Sequence, residues 1–341
     1  MSQLHINNIL KDMEKNDYQG YLLADFSNIQ YITGYKPTSF AFCVIKEDPV
    51  VFVSRMDLEI AKTDSSIEVR KFESFSAMVN DLKTDIRNLA IEPTLQYDTY
   101  EKFKDDFDIA SERFINKQRA VKTPDEIFKI EEATEIAQQA FREIDIVKKH
   151  ENGAREDMIA YELGGFMREN GGESESFDTI VTSGANSSIP HAIPMAKPLE
   201  EPILIDWGTK YQGYCSDNTR TLVYGEKQHE IFDIVAEAHH KAIKAIKPGV
   251  KCSEIDKVAR DIITDYGYGD NFIHSTGHSL GLDIHESPSF SAKDETVLEK
   301  GMVMTVEPGI YIEGEFVVRL EDTVQVDSVG KVLGRLPLKI E

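Results

Sequence analysis

Two aspartates in one stretch of the sequence have a spacing that could create a cation site. Two apolar runs flank a turn at residues 210–213, and a turn centred between Tyr211 and Gln212 would place Asp206 opposite Asp217. Their Cβ atoms would then lie about 5 Å apart. At an effective dielectric of about 20, two like charges at that distance repel by roughly 3 kcal/mol. A cation between the two carboxylates would remove this repulsion.

The same arrangement recurs near the end of the sequence. An apolar run at 303–312 leads to Gly314 and returns through 316–322, and a hairpin centred on Gly314 places Glu307 opposite Glu321. Because opposed acids are unusual in apolar strands, two such pairs favour one shared cation site. Four carboxylates could hold two divalent ions about 3.5–4 Å apart, and such ions lower the pKa of a bound water until it becomes a hydrolytic nucleophile.

Histidines in the same half of the chain can supply a nitrogen donor. Three of the nine histidines fall within residues 272–286, namely His274, His278 and His285. Gly277 and Gly281 bracket His278, which suits a backbone that approaches a ligand closely. His191 follows turn-forming residues, and loops carry functional side chains more often than cores do. We predict surface positions for the others, His5, His150, His229, His239 and His240. The residues therefore predict a dinuclear metallohydrolase.

The composition limits the partners that this chain can bind. A formal net charge of −22 over 341 residues makes the surface strongly acidic, which repels the phosphates of nucleic acids and of anionic lipids. No stretch approaches the roughly 18 apolar residues of a membrane span. The three cysteines are an odd number without a Cys-x-x-Cys pair, which argues against disulfides and zinc knuckles. We expect a cytoplasmic protein that binds neither nucleic acid nor membranes.

The pattern of apolar residues changes near residue 120 and predicts two domains. Residues 1–120 alternate strand-like and helix-like segments, which is typical of a small α/β domain. The predicted strands are 21–24, 40–45 and 50–53, and the predicted helices are 57–62 and 76–88.

Residues 121–341 read as a second domain in which pairs of helices alternate with β-rich stretches. Thr123, Pro124 and Glu126 suit the N-cap, first and third positions of a helix, which we predict to continue to Asn152. Further helices are predicted at 156–169, at 227–246 and, capped by Ser253, at 254–266. The repeated order helix, helix, strands predicts an α+β fold.

These segments resemble a known family, the pita-bread metallopeptidases, which include methionine aminopeptidase, aminopeptidase P and prolidase. Residues 25–34 are similar to the N-terminal domain of its proline-specific branch, and residues 119–126 to the interdomain junction. The catalytic domain is matched, in family order, by residues 177–191, 205–208, 213–221, 276–286, 306–311 and 319–322. The resemblance covers nearly the whole chain. It implies a pita-bread catalytic domain over 121–341, preceded by a smaller α/β domain over 1–120.

The resemblance also implies which residues bind metal. The ligands would be Asp206, Asp217, His278, Glu307 and Glu321. Asp217 and Glu321 would bridge two divalent ions, while Asp206 would serve one ion and His278 with Glu307 the other. In such enzymes the metal is usually Mn²⁺ or Co²⁺, and sometimes Zn²⁺.

Catalytic and substrate-binding roles follow from the same resemblance. Glu307 would shuttle a proton from the nucleophile to the leaving amine. His191 and His285 would line the pocket and steady the developing charge of the scissile carbonyl. The remaining substrate-binding residues would be His274, Tyr311 and Arg319.

The proline-specific branch implies a small peptide substrate with proline at the second position. The X-Pro bond is a tertiary amide without an N–H, and its ring is fixed, so it needs a dedicated site. We expect an Xaa-Pro dipeptidase (prolidase) that forms a homodimer. Aminopeptidase P activity on longer peptides is the alternative, because an arginine that some relatives use for the free carboxylate has no counterpart between His285 and Glu307.

Some positions depart from the family pattern. Ser279 stands where a glycine is common after the ligand histidine, and Phe316-Val317 replaces a common Gly-Gly, so we expect a narrower pocket. A creatinase-like C–N hydrolase and a non-catalytic binding module on this fold are further alternatives, and the complete ligand set argues against both. The extra N-terminal domain argues against methionine aminopeptidase chemistry.

Overall fold

The computed structural model describes residues 2–340, and the chain divides into a unit over Met1–Arg119 and a unit over Ala120–Glu341. Within residues 2–340, no helix combines the length and the apolar character that crossing a bilayer requires. The second unit contains all of the predicted site residues, and the first is therefore described only briefly.

The first unit contains a six-stranded mixed sheet with the order β4-β3-β2-β1-β5-β6. Its strands are β1 (Gly20–Leu23), β2 (Ala41–Ile45), β3 (Val50–Val53), β4 (Glu68–Lys71), β5 (Asn88–Ile91) and β6 (Asp108–Ser111). Its helices are α1 (Ser2–Lys15), α2 (Phe26–Thr33), α3 (Leu58–Asp64), α4 (Phe75–Leu82), α5 (Tyr97–Tyr100) and α6 (Phe114–Ala120). The three predicted strands are confirmed as β1, β2 and β3, which are buried along their whole length and therefore read as apolar runs.

One predicted helix of the first unit is too long. The segment 76–88 is helical only to Leu82, and β5 begins at Asn88. The Thr84 hydroxyl donates to the carbonyl oxygen of Asp81 (2.8 Å) and so satisfies a backbone group that a longer helix would have used.

The second unit contains two pairs of long helices, a short helix between the members of the first pair, and the β-strands that the two pairs cover. Its helices are α7 (Pro124–Ile144), α8 (Ile146–Glu151), α9 (Glu156–Glu169), α10 (Glu226–Ala245) and α11 (Cys252–Asp265). Its strands are β7 (Ile180–Ser183), β8 (Ile203–Trp207), β9 (Lys210–Tyr211), β10 (Tyr214–Cys215), β11 (Asn218–Leu222), β12 (Gly277–Ser279), β13 (Glu286–Phe290), β14 (Val303–Val306), β15 (Gly309–Ile312), β16 (Phe316–Arg319), β17 (Asp322–Val326) and β18 (Gly330–Val332). The α+β fold and its order of elements are confirmed.

Each helix pair packs on its own sheet. Helices α7 and α9 cover the sheet β11-β8-β7, where the Trp207 ring stacks on Phe141 with centroids 4.4 Å apart. Helices α10 and α11 cover the sheet β13-β12-β14-β17-β18. A β-bridge between Thr219 and Glu321 joins the two sheets. The predicted site residues lie around this junction.

Two helix boundaries differ from the prediction. The helix from Pro124 stops at Ile144, because Asp145 has a φ of 46° and its side chain caps α8 instead. Helix α11 begins at Cys252, and Ser253 lies inside it, where its hydroxyl donates to Glu295 (2.8 Å) rather than capping the helix.

Two of the histidines predicted to be on the surface are buried. His5 is 5% exposed and His239 is 1% exposed. His239 lies on the face of α10 that also buries Val235 and Ala242, because residues three and four apart share a helix face.

Candidate metal and substrate site

Asp206 and Asp217 come from β8 and from the residue before β11. Asp206 pairs with Thr219, so the predicted pairing of Asp206 with Asp217 is wrong by two residues. The hairpin turns at Gln212 and Gly213, whose φ values are 47° and 83°, one residue later than predicted. A shift of two residues keeps a side chain on the same face of a strand. Both carboxylates therefore still line one cavity.

Glu307 and Glu321 lie opposite each other, as predicted. The register centred on Gly314 holds in the ladder β15–β16 and continues in the ladder β14–β17, and the two glutamates lie between these ladders. Their backbone N–H groups do not bond to each other's strand. The N–H of Glu307 donates to the carbonyl oxygen of Thr276 (2.8 Å), and the N–H of Glu321 donates to that of Thr219 (3.1 Å). The two strands therefore separate at this point, and each carboxylate is tied to a further strand of the site.

His278 lies in β12 with one ring nitrogen turned toward the acids. Its Nε2 is 3.4 Å from Glu307 Oε1 and 3.6 Å from Asp217 Oδ2. Its Nδ1 lies 3.1 Å from the carbonyl oxygen of Ser279, which can only accept, so Nδ1 carries a hydrogen and Nε2 is the ring nitrogen that faces the carboxylates. Ligand atoms of Asp217, His278 and Glu321 lie within 4.8 Å of one another. This orientation is typical of a metal-ligating histidine.

The buried carboxylates fit a divalent cation. Within residues 2–340, Asp206 Oδ1 and Glu321 Oε1 are buried without a hydrogen-bond partner. Burial, together with repulsion from Glu321, Asp206 and Glu307, raises the pKa of Asp217 well above its ordinary value. Burial and repulsion from Glu307 and Asp206 do the same to the pKa of Glu321. A positive charge would therefore stabilise the ionised form of these carboxylates. Divalent first-row metal ions bind sites made of carboxylate oxygens and one imidazole nitrogen.

Arg319 and Tyr311 support the Asp206 side of the site. Arg319 Nη2 donates to Asp206 Oδ2, and its Nη1 donates to the Tyr311 hydroxyl (2.8 Å). Arg319 Nε donates to Thr219 Oγ1 (3.3 Å), which in turn donates to Glu321 Oε2 (2.7 Å). Arg319 thus supplies a fixed positive charge that only partly balances the acids.

Two threonines of the site were missed in the sequence. Thr219 joins Arg319 to Glu321, and Thr305 accepts the backbone N–H of His278 (3.0 Å) while it donates to Glu307 Oε1 (3.1 Å). Both hydroxyls fix the direction of a carboxylate. A threonine in a strand is common, so its type and spacing carry no signal that would have identified either residue.

All ten predicted site residues line one cavity of about 440 Å³, namely His191, Asp206, Asp217, His274, His278, His285, Glu307, Tyr311, Arg319 and Glu321. Six further residues complete its walls, namely Phe177, Asp178, Ile180, Pro190, Ser275 and Ile284. The cavity therefore combines an acidic end with apolar surface.

The residues that depart from the family pattern do not narrow this cavity. Ser279 is fully buried, and its hydroxyl donates to the Val303 carbonyl (3.1 Å). Phe316 packs in the core under α10, and Val317 packs beneath Tyr311. The expectation of a narrower pocket is therefore wrong, because these side chains point into the core.

The histidines of the cavity differ in their surroundings. His191 and His285 are exposed, and the His285 ring lies 4.4 Å from the His278 ring, measured between centroids. His274 meets Tyr311 edge to face at 5.4 Å, and burial lowers the pKa of His274. The buried Nε2 of His274 has no hydrogen-bond partner within the described part of the chain.

Comparisons with known proteins extend over the whole chain. Residues 129–328 match Metallopeptidase family M24, and residues 5–123 match the Creatinase/Prolidase N-terminal domain. The chain is 40% identical to the Xaa-Pro dipeptidase of Pyrococcus furiosus, with 95% of each sequence covered.

Solved structures of similar sequence also share the fold. The prolidase of Pyrococcus horikoshii is 38% identical, with a TM-score of 0.91 over 99% of this chain and 98% of that one. An Xaa-Pro dipeptidase of Bacillus anthracis is 34% identical, with a TM-score of 0.93 over 100% of this chain and 99% of that one. Both domains, and the cavity between the sheets of the second, thus lie within the matched length.

Proposed function

This chain belongs to metallopeptidase family M24, and we propose that it is an Xaa-Pro dipeptidase, which hydrolyses the bond between an N-terminal residue and proline. One observation carries the proposal: five side chains of the kinds that bind divalent metals and an apolar wall line the same cavity. Relatives also support the proposal, because proteins named Xaa-Pro dipeptidase match this chain over 95% of its length.

Five side chains would hold two divalent ions, Mn²⁺ or Co²⁺ with Zn²⁺ as the alternative: Asp206, Asp217, His278, Glu307 and Glu321. When bound, such ions supply a water of lowered pKa and polarise the scissile carbonyl. The unpartnered oxygens of Asp206 and Glu321 support this assignment. The hydroxyl of Thr219 and the guanidinium of Arg319 keep these two carboxylates turned into the cavity.

Glu307 is the residue that would move the proton. Burial alone would raise its pKa, but His278, His274 and Arg319, with the hydrogen bond from Thr305, hold the pKa below its ordinary value. Glu307 is therefore ionised near neutral pH, and its carboxylate can accept a proton from the nucleophile. The same carboxyl group would then return the proton to the proline nitrogen as the amine leaves.

Histidines and apolar side chains would orient the peptide. His191 and His285 can donate to the scissile carbonyl oxygen as negative charge develops on it. Phe177, Ile180 and Ile284 offer the apolar surface that a pyrrolidine ring would cover. The amide nitrogen of an X-Pro bond carries no hydrogen, so it can lie against this apolar wall without losing a hydrogen bond.

Three broader expectations belong to the same proposal. The domain boundary at 120/121, the homodimer and the cytoplasmic location remain predictions. Light scattering of the purified protein measures the oligomeric state directly, and a mass near 77 kDa, about twice the 38.5 kDa chain, would support a dimer.

The test compares two substrates on Mn²⁺- or Co²⁺-loaded protein. We expect release of the N-terminal residue from an X-Pro dipeptide and much slower release from an X-Pro-Y tripeptide. An X-Ala dipeptide is the control for the proline requirement. A clear preference for the tripeptide would make the protein an aminopeptidase P instead, and no release from either proline peptide would reject the assignment.

A further inference from the structure

Lys122 is a buried lysine outside the cavity whose ammonium joins two segments of the site. It is 4% exposed, and its Nζ donates to Ser279 Oγ (2.9 Å) and to Glu286 Oε2 (3.2 Å). Ser279 directly follows His278, and Glu286 directly follows His285. A charged group is seldom buried unless partners hold it there. Lys122 therefore has a defined geometry, and that geometry spans the residues behind two site histidines.

The two partners of Lys122 face each other at an irregular point of the sheet. In the ladder β12–β13, His278 pairs with Ser289, and the next pair is Ser279 with Glu286. Between these two pairs, β12 advances by one residue, whereas β13 advances by three. The ladder is locally disrupted at such an irregularity, so the regular pairing before it does not determine which residues pair after it. The Lys122 ammonium donates to Ser279 and to Glu286, which form the first pair after the irregularity. It therefore favours the register in which these two residues lie opposite each other.

The Glu286 carboxylate fixes the loop between the two histidines at the same time. Its Oε1 accepts the backbone N–H of Asp283 (3.2 Å), while its Oε2 accepts from Lys122. The loop passes so close that a Cβ at Gly281 would lie 2.6 Å from Glu286 Oε1. The position of His285 relative to His278 is thus set through Glu286.

We propose that Lys122 is a positioning residue: by tying Ser279 to Glu286, it fixes the register that brings the His285 ring to 4.4 Å from the His278 ring. The kinetic consequence rests on the proposed function, but the geometric one does not. Ser279 contributes to this device, since a glycine at that position would have no side-chain acceptor for the ammonium.

Three variants separate positioning from charge balance. Lys122→Met removes the ammonium and leaves the Glu286 carboxylate without it, whereas Lys122→Met with Glu286→Gln removes both charges. Lys300→Met is the matched control, because its Nζ pairs with Asp327 (2.7 Å) at the surface and its side chain is 72% exposed. Each protein is measured for Tm, for kcat and KM on an X-Pro dipeptide with Mn²⁺, and for the visible absorption of its Co²⁺-loaded form.

We expect Lys122→Met to lower both Tm and kcat, the latter by roughly 10- to 100-fold. The double variant should regain most of the Tm, because the carboxylate that lost the ammonium is gone, yet kcat should stay low. The Co²⁺ absorption should change in both, and the control should match the wild type in every measurement.

A double variant that regains wild-type kcat together with its Tm would overturn the proposal, because Lys122 would then only balance a charge. Wild-type kcat in Lys122→Met would overturn it as well. If the wild-type protein releases nothing from X-Pro peptides, the proposed function fails, and the Co²⁺ absorption decides the positioning role alone. An altered spectrum in folded Lys122→Met then supports that role, and an unaltered one overturns it.

Discussion

Glu307 illustrates, at the scale of single residues, how neighbours set the chemistry of a side chain. Its carboxylate is partly buried, yet His278, His274 and Arg319 keep its pKa below the ordinary value. Asp217 and Glu321 are buried in the same cavity, but burial and repulsion from the other acids outweigh the attraction of Arg319, and their pKa values rise. The Glu307 carboxylate therefore stays ionised without a bound cation, whereas the carboxylates of Asp217 and Glu321 need a cation to stay ionised.

We predict that Glu307→Gln keeps the fold and loses turnover. Glutamine has nearly the same shape, but it cannot accept the proton, so kcat should fall by about 10²–10⁴-fold. Steady-state kinetics on an X-Pro dipeptide, with the Tm of each variant, measure both effects. Glu313→Gln, exposed in the same hairpin, is the control and should behave as wild type. A Glu307→Gln enzyme with kcat close to wild type would exclude Glu307 from proton transfer.

We predict that His239 makes the free energy of unfolding depend on pH. It is buried with Nε2 3.4 Å from Asp322 Oδ2. Burial lowers the pKa of His239 to about 4, with Arg220 and His240 lowering it further and Asp322 opposing them. An unfolded histidine has a pKa of about 6.5, so on acidification the unfolded state binds the proton first. The contribution of neutral, buried His239 to the free energy of unfolding is complete above pH 6.5. It is lost as the pH falls toward 4, and the total loss is roughly 3 kcal/mol.

Urea unfolding of His239→Gln from pH 4.5 to 7.5 measures this contribution. The variant should lose less stability than the wild type on acidification, because glutamine does not titrate. The buried carboxylates titrate in both proteins, so their contribution cancels in the comparison. His240→Gln, exposed on the same helix, should keep the wild-type slope. Equal slopes for wild type and His239→Gln would show that the buried histidine has no such role.

At the scale of elements, two hairpins place the acids, and they differ in how well the sequence specifies them. Gly314 marks the second hairpin, and its φ of 71° explains why the register centred there is right. In the first hairpin, Gln212 and Gly213 both take positive φ, but glutamine is not a residue that signals such a turn. The turn predicted from the sequence is therefore one residue too early, and the predicted pairing of Asp206 is wrong by two residues.

We predict that Gln212→Asn stabilises the protein by roughly 0.5–1 kcal/mol. A two-residue turn with positive φ at both positions favours Asn-Gly, and glutamine at φ 47° is strained there. Gln212→Val is the opposite control and should destabilise by a similar amount or more, because a β-branched residue tolerates positive φ poorly. Chemical denaturation of the three proteins measures the difference. A destabilised asparagine variant would contradict this account of the turn.

At the scale of the whole molecule, the C-terminal segment is tied to the strands of the site. Arg220 is fully buried, and it donates to the carbonyl oxygens of Pro337 (2.8 Å), Leu336 (2.9 Å) and Glu321 (2.5 Å). It also donates to Asp322 Oδ1 (2.7 Å). One guanidinium thus connects residues more than 100 positions apart along the chain.

We predict that deleting residues 335–341 destabilises the protein by about 3 kcal/mol or more, because a buried guanidinium loses two carbonyl partners. Activity should fall with it, since Arg220 also holds the backbone of Glu321. Thermal unfolding and turnover are the measurements, and Lys339→Ala, an exposed position in the same segment, is the control. A truncated protein with unchanged Tm would show that Arg220 does not need this segment.

The sequence predicts the charged part of the site better than the part that holds it in place. Acids and histidines are rare in apolar strands, so Asp206, Glu307 and His278 stand out by type and spacing. The hydroxyl of Thr219 and the ammonium of Lys122 act across more than 100 residues of sequence, and nothing local marks them. Local patterns thus predict elements and charges, whereas the contacts that orient them depend on tertiary packing.

We expect five side chains, from two hairpins and one further strand, to hold two divalent ions. X-ray diffraction at the manganese absorption edge, on crystals grown with Mn²⁺, tests it most directly. We predict two anomalous peaks in the cavity among Asp206, Asp217, His278, Glu307 and Glu321. A cavity without peaks under saturating Mn²⁺, or peaks only at other positions, would contradict the account.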